Sequence, residues 1–460
     1  MTTGIDGLVS SLDTTSLINS LIQAEAGQQT LLKQQASDTT SFVSALRGLN
    51  SQVASVATLA AAAAKPAAFD LYTASSSSST VTATAGTGST TGSIDLVVNQ
   101  LAQSQSNVSA ALTAWPTDPA ALTIVSGGKS TDITPVSNSL DDIVSAINKS
   151  GAGVSAMKVA AGVDGSGTAQ YRLQFTSTTT GAASAFSVYQ GTSADVTAGT
   201  ATDLLAQPGA ATLRTAQDAQ VTLWSGSPAA QTITSSTNTF SNLLPNVAVT
   251  VSAVAATPVT VTVARDAGAT SKVASDLVAS LNTVFATIST KSAVVNSTGP
   301  DGSSRVSGGI FSGDSATSSI NQALLSAASS PVNGVSPSEI GVSITKDGTL
   351  TFDNDKFTAA LASDPAKVQS MMLEISSRVS AAASAVSDQY SGSLTTKITS
   401  QQGVIDSLGT QISDWDARLA TKRASLEQTY AAMEVQLNNI KSQGTNFASQ
   451  LSNLPSWPTS

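Results

Sequence analysis

The segment from residue 398 towards the C-terminus carries the pattern that most restricts the fold of this chain. Apolar side chains recur every seven residues without interruption, a spacing typical of one long helix packed along a supercoiled seam. The first row consists of Ile398, Ile405, Ile412, Leu419, Leu426, Met433, Ile440 and Phe447, and a second row includes Leu408, Trp415 and Leu437. At about 1.5 Å per residue this helix would be roughly 75 Å long. A lone helix in water cannot bury such a stripe, so we expect a partner helix.

A weaker heptad pattern near the N-terminus supplies the predicted partner. Its apolar positions are Phe42, Leu46, Leu49, Val53 and Val56. Polar residues, Gln28 and Gln35, extend the first row backwards. Because each buried Leu, Ile or Phe contributes roughly 1.5 to 3 kcal/mol, we expect residues 42–56 to dock firmly and the Gln-rich residues 23–40 to dock only loosely. Two interpretations stay open: an ordinary intramolecular bundle that joins the termini, or helices whose outer parts are completed by sister subunits.

Charge and composition exclude several classes of function. The net charge is −9, whereas nucleic acids and anionic membrane surfaces are bound by clustered Lys and Arg. The chain has no cysteine and no histidine, which removes disulfides, thiolate catalysis, Ser-His-Asp triads and histidine zinc sites. We therefore predict no enzyme, no cofactor and no metal site. Only 11% of residues are charged, so such a surface can lie against copies of itself without heavy desolvation of ions.

Three short acidic motifs are similar to chemical sites, and we interpret all of them as helix caps or turns. Gly313-Asp314-Ser315 is similar to an esterase motif, but a chain without histidine offers no usual base for the serine. Asp353-Asn354-Asp355 is similar to the start of a calcium loop, but the glycine and glutamate that an EF-hand requires are missing. Asp141 and Asp142 stand in the first turn of a predicted helix, where the helix dipole stabilises carboxylates.

The N-terminus gives no sign of a cleavable signal. Residues 1–12 lack the basic and apolar segments of a secretory signal peptide. No apolar run reaches the roughly 18 residues needed to cross a membrane, so we expect no membrane insertion. The protein either stays in the cytosol or leaves by a route that reads no cleavable signal.

Between the two seam helices the pattern changes from helices to strands. Residues 71–110 and 213–266 share a Val/Thr/Ser composition and together predict one β-rich head domain, with residues 111–212 inserted as a second head domain. Within the insert, Leu122–Val125 and Ile133–Val136 are predicted to pair across a Gly-Gly turn. A helix follows, capped by Ser139, and leads into a hairpin.

The fold class is therefore predicted as α+β multidomain, with terminal helices that form a coiled-coil or helical-bundle leg. Residues 1–41 are expected to be a mobile N-terminal arm. Residues 42–70 and 267–397 form a discontinuous helical leg domain, in which Lys346-Asp347-Gly348 predicts a hairpin turn. Residues 398–460 form the C-terminal coiled-coil helix and tail.

Four stretches, in the same order along the chain, resemble the bacterial flagellar filament cap family, also called hook-associated protein 2 or FliD. Residues 7–14 and 21–25 resemble its N-terminal signature, and residues 93–103 its first head strand. Residues 140–159, with Ala146-Ile147-Asn148 at the centre, resemble the "IN" motif shared by hook and flagellin-type proteins. Residues 341–355, followed by Asp364-Pro365, resemble the C-terminal signature.

This resemblance implies a structural assembly protein. Members are exported through the flagellar type III channel without a cleaved signal peptide and retained outside the cell, at the distal filament tip, as a small homo-oligomeric ring. There the ring promotes the folding and insertion of exported flagellin. Implied partners are flagellin, the hook-filament junction proteins and an export chaperone on the C-terminal helix. The family architecture has helical legs and two β-rich head domains, one inserted in the other.

Two alternative functions stay open at this stage. A hook-filament junction protein or a flagellin-like subunit would share the terminal seam helices, although residues 341–365 favour the cap. A surface adhesin would instead use the Ser/Thr-rich head domains to bind host polymers or glycans.

Overall fold

The computed structural model describes residues 13–298 and 303–452. The chain forms two compact units, which we call the leg unit, Met1–Pro66 with Ser271–Ser460, and the head unit, Ala67–Thr270. Terminal helices and β-rich middle domains confirm the predicted α+β class. Within the described residues, no helix is both long enough and apolar enough to cross a membrane.

The secondary structure elements are numbered along the described chain. The helices are α1 Thr14–Glu25, α2 Gly27–Ala63, α3 Leu140–Lys149, α4 Ser193–Ala198, α5 Ala267–Ser292, α6 Ser315–Ser329, α7 Asn354–Ser363, α8 Pro365–Ser387 and α9 Ser393–Ser452. The strands are β1 Tyr72–Ser76, β2 Val81–Ala85, β3 Gly92–Gln100, β4 Ser106–Val108, β5 Leu122–Ser126, β6 Lys129–Ile133, β7 Val154–Val163, β8 Ala169–Ser177, β9 Phe186–Gln190, β10 Thr202–Asp203, β11 Ala211–Arg214, β12 Ala219–Leu223, β13 Gln231–Ser235, β14 Thr239–Leu244, β15 Val247–Val251, β16 Ala255–Arg265, β17 Val294–Thr298, β18 Ser304–Gly308, β19 Val342–Ile344 and β20 Leu350–Phe352.

The core of the leg unit forms around the second half of α2. Leu46, Leu49, Val53 and Val56 are fully buried there, because their heptad spacing keeps them on one face of the helix. Helix α2 packs against both α8 and α9. Helix α8 carries its own apolar stripe, which buries Val368, Met371, Met372, Ile375 and Val379.

Acidic side chains start three helices of the leg unit, as predicted for caps. Asp314 accepts the backbone N–H of Thr317 at 2.8 Å and begins α6. Asp353 caps α7, and Asp364 caps α8, with Pro365 at its first position. Within the described part of the chain, no group of three His, Cys, Asp or Glu residues is placed to hold a metal ion. The interpretation of the two acidic motifs as caps is confirmed.

Two hairpins project from the leg helices. The first, β19–β20, turns at Gly348, whose φ of +74° favours glycine, and confirms the predicted turn. The second hairpin, β17–β18, was not predicted. It lies between α5 and α6 and pairs with no third strand in the described residues.

The head unit contains two hydrophobic cores. The first lies between a five-stranded sheet, β1-β16-β3-β12-β13, and a three-stranded sheet, β14-β15-β2. The second lies between the sheets β10-β9-β5-β6 and β11-β4-β8-β7 and is covered by α3. All strands of the second core fall between β3 and β12 in the chain, so this core is an insertion into the first.

One predicted pairing in the inserted core needs correction. Strand β5 pairs with β6, Lys129–Ile133, and not with residues 133–136. The tight Gly127-Gly128 turn, with both φ angles positive, brings residues 126 and 129 directly opposite each other, and the chain leaves the sheet after Ile133. Val136 is consequently 97% exposed.

Candidate assembly seam

The predicted heptad positions lie on two helical segments that run antiparallel. As residue numbers rise along α1 and α2, the residues they contact on α9 have falling numbers. The polar contacts across this interface are Asn19 with Arg423 at 2.7 Å, Glu25 with Lys422 at 3.4 Å, Gln29 with Asp416, and Arg47 with Gln402 at 3.2 Å. We call the sixteen predicted apolar positions on these helices the assembly seam.

The burial of the assembly seam decreases towards the end of α9. The buried positions are Leu46, Leu49, Val53, Val56, Leu408 and Leu419. The half-buried positions are Phe42, Ile398, Ile405, Ile412, Trp415, Leu426, Met433 and Leu437. Ile440 and Phe447 are 64% and 69% exposed. Among the described residues, one end of the seam is therefore covered and the other end is open.

The covered end is held by an aromatic and ionic cluster. The rings of Phe42 and Phe311 meet edge to face, with centroids 6.1 Å apart. The ammonium group of Lys397 lies 5.4 Å from the centre of the Phe42 ring and forms an ion pair with Asp314. Sequence reasoning identified Phe42 but missed Lys397 and Phe311. The only available signal was a lysine directly before the first heptad position, Ile398.

Asp314 is the titratable group of this cluster. Burial alone would raise the pKa of its carboxyl group. The hydrogen bonds from Lys397 and from the backbone N–H of Thr317 outweigh that effect, so the pKa lies below its ordinary value. The carboxylate is therefore charged at neutral pH and joins the start of α6 to the start of α9.

In the middle of the interface, α1 and α2 pack along α9. The mobility expected of residues 1–41 and the loose docking expected of residues 23–40 stay predictions, and residues 1–12 lie outside the described residues. Ile18 and Leu32 are buried, and Gln29 is only 6% exposed. The side chain amide of Gln29 donates to the carboxylate of Asp416. This bond satisfies the polar group, which removes most of the cost of burying it.

The open end of α9 has an apolar face without cover in the described residues. Besides Ile440 and Phe447, Leu451 on the same side of the helix is 63% exposed. Lys441 is the single charged residue from 435 to 452. A contiguous exposed apolar stripe is typical of a surface that binds another protein.

Comparisons with known proteins agree with this architecture. Residues 10–105 match the family model of the flagellar hook-associated protein 2 N-terminus, and residues 216–442 match that of its C-terminus. Together the two matches cover more than half of the chain.

Two curated relatives match nearly the whole chain. They are the flagellar hook-associated protein 2 of Escherichia coli O157:H7 and that of strain K12, each 28% identical over 478 residues, which is 97% of this chain and 97% of the relative. The crystal structure of the D1-D2-D3 domains of the Escherichia coli flagellar cap protein FliD has a TM-score of 0.54 and 26% identity. It covers 78% of this chain and 94% of its own. The chain thus belongs to the flagellar hook-associated protein 2 family, the flagellar cap proteins.

Proposed function

We propose that this protein caps the distal end of the flagellar filament and promotes the folding and insertion of exported flagellin. The observation that carries the mechanism is the uneven cover of the assembly seam. Its heptad spacing continues unchanged from the buried Leu419 to the exposed Phe447. A helix end that keeps this spacing with no partner among residues 13–298 and 303–452 is suited to packing against another chain.

In this mechanism the open end of α9 is completed only in the assembled cap. Sister subunits of a homo-oligomeric ring and the top of the filament cover the apolar face around Ile440 and Phe447. The low charge of residues 435–452 favours this packing, because few ions must lose water on contact. Each leg then releases its contact when a new flagellin subunit inserts below it.

The same surface suits a carrier before export. An amphipathic helix binds well in an apolar groove, and we propose that an export chaperone covers the C-terminal helix until the chain is exported. The protein would leave the cell without a cleaved signal peptide, reside at the filament tip, and rest first on the hook-filament junction proteins. The mass of the protein recovered from detached flagella would test this route, because cleavage would shorten it.

An assay of filament assembly in cells tests the role of the open end of α9. The double substitution Ile440→Ser with Phe447→Ser removes the apolar face without changing any buried contact. Cells that carry it should release unpolymerised flagellin into the medium and assemble short filaments or none. Val136→Ser is the control, because Val136 is an apolar residue that is even more exposed, at 97%, but lies in the head unit. Normal filaments on cells with the double substitution would contradict the proposal.

A further inference from the structure

The hairpin β17–β18 is an exposed element of the leg unit that has no role in the proposed capping mechanism. Val294 and Val306 are 59% and 70% exposed. Asn296 lies opposite Val306 in the hairpin, so these two side chains are on the same face. Val294 is two residues before Asn296 in the same strand and therefore shares that face. A two-stranded hairpin is marginally stable by itself in water. Val295, which is 59% exposed, lies on the opposite face. The face of Val294 and Val306 thus carries two exposed valines and is the one better suited to an apolar partner.

A groove of about 480 Å³ lies beside this hairpin, between α2 and α5. Its floor includes Ala45 and Leu49, which are buried, and its rims include Ser44, Thr287 and Ile310. Lys291 is the single charged residue in the lining. The groove is therefore an almost uncharged slot with an apolar floor.

Gly48 lines the groove, and the chain itself does not require a glycine there. A Cβ atom placed on Gly48 would have no other atom within 4 Å. Glycine inside a helix costs roughly 0.5 to 1 kcal/mol relative to alanine. Since nothing within the described chain approaches this position, the space is suited to a close approach from outside.

We propose that the Val294 and Val306 face of one subunit docks into the α2–α5 groove of the next copy. The inference rests on the proposed ring, whose subunits must contact each other. Two different surfaces of one chain form a heterologous contact, which closes into a ring when the rotation permits it. The exposed valines match the apolar floor, and the missing side chain at Gly48 leaves room for them.

Filling the groove tests this contact without disturbing the subunit. Gly48→Leu places a side chain in open space, so thermal unfolding of the monomer should stay unchanged or shift upward. Native mass spectrometry of the full chain should then show monomers at concentrations where the wild type forms rings. Gly403→Leu is the control, because Gly403 is also exposed, helical and free of neighbours within 4 Å, and it should leave the rings intact.

Crosslinking identifies the partner surface, since the chain has no cysteine of its own. Oxidation of the double variant Val306→Cys with Ser44→Cys should give a ladder of covalent oligomers. Dimers from Val306→Cys alone would instead show hairpin pairing with hairpin and overturn the proposal. If Gly48→Leu forms rings of the wild-type mass, the proposed contact is wrong, but the proposed function is unaffected. If the wild-type chain never forms rings, the proposed function itself is contradicted.

Discussion

The side chain of Asn148 forms two hydrogen bonds with the backbone of Ala156. Its Oδ1 accepts the Ala156 N–H at 2.8 Å, and its Nδ2 donates to the Ala156 carbonyl at 3.0 Å. The amide thus occupies the place of a neighbouring strand at the edge of the sheet, where β7 pairs with no strand other than β8 in the part of the chain that the structure describes. This contact gives the Asn of the Ala146-Ile147-Asn148 motif a structural role: it ties α3 to β7 and blocks an open strand edge.

Asn148→Ala should destabilise the inserted core. Two hydrogen bonds are lost at a partly exposed site, so we expect the free energy of unfolding to fall by about 1 to 2 kcal/mol. The neighbouring Lys149→Ala, at an exposed helix position, should change it by less than about 0.5 kcal/mol. Urea unfolding monitored for the head unit measures both values. Equal effects of the two substitutions would show that the Asn148 contact contributes nothing.

Asp314→Asn should weaken the covered end of the assembly seam in a pH-dependent manner. Asparagine still caps a helix, so the substitution mainly removes the ion pair with Lys397, at a cost of about 2 kcal/mol at pH 7. Because the folded-state pKa of Asp314 lies below its ordinary value of 3.8, the charged form stabilises the fold above the unfolded-state pKa. That stability is lost as the pH falls through the folded-state pKa.

Thermal unfolding of the wild type and Asp314→Asn over a pH series checks this sign. The difference in stability should be full at neutral pH and should shrink as the pH falls below about 4. A constant difference across the series would mean that the carboxylate charge does not hold α6 to α9.

The two ends of the seam should respond differently to the same kind of truncation. Leu419→Ala creates a cavity at a buried position and should lower the free energy of unfolding of the monomer by about 2 kcal/mol. Phe447→Ala removes a larger side chain from an exposed position, so monomer stability should stay unchanged while ring formation weakens. Urea titration and native mass spectrometry separate these effects. A large loss of monomer stability in Phe447→Ala would show that Phe447 is already covered.

Local signals in the sequence were sufficient for several elements. Seven-residue spacing predicted α9, because a single helix periodicity extends over all of it. The Asp347-Gly348 turn and the caps at Ser139, Asp314 and Asp353 were also predicted, since each depends on a few adjacent residues.

Partner choice was not predictable in the same way. The face of α2 with Leu46 and Val53 fits any apolar helix, so its spacing could not distinguish α8 from α9 as a partner. The burial of Gln29 depends on Asp416, which lies far away in the chain. The hairpin β17–β18 was missed because its strands are short and have exposed valines in place of an alternating buried face.

Hydrogen exchange at the amides of residues 440–452 tests the central claim most directly. A helix end without tertiary packing frays in water, so these amides should exchange quickly in the monomer and slowly in the assembled cap. The amides of α9 near Leu408 should be protected in both states. Strong protection of residues 440–452 in the isolated monomer would contradict the account, because the seam would then be complete within one chain.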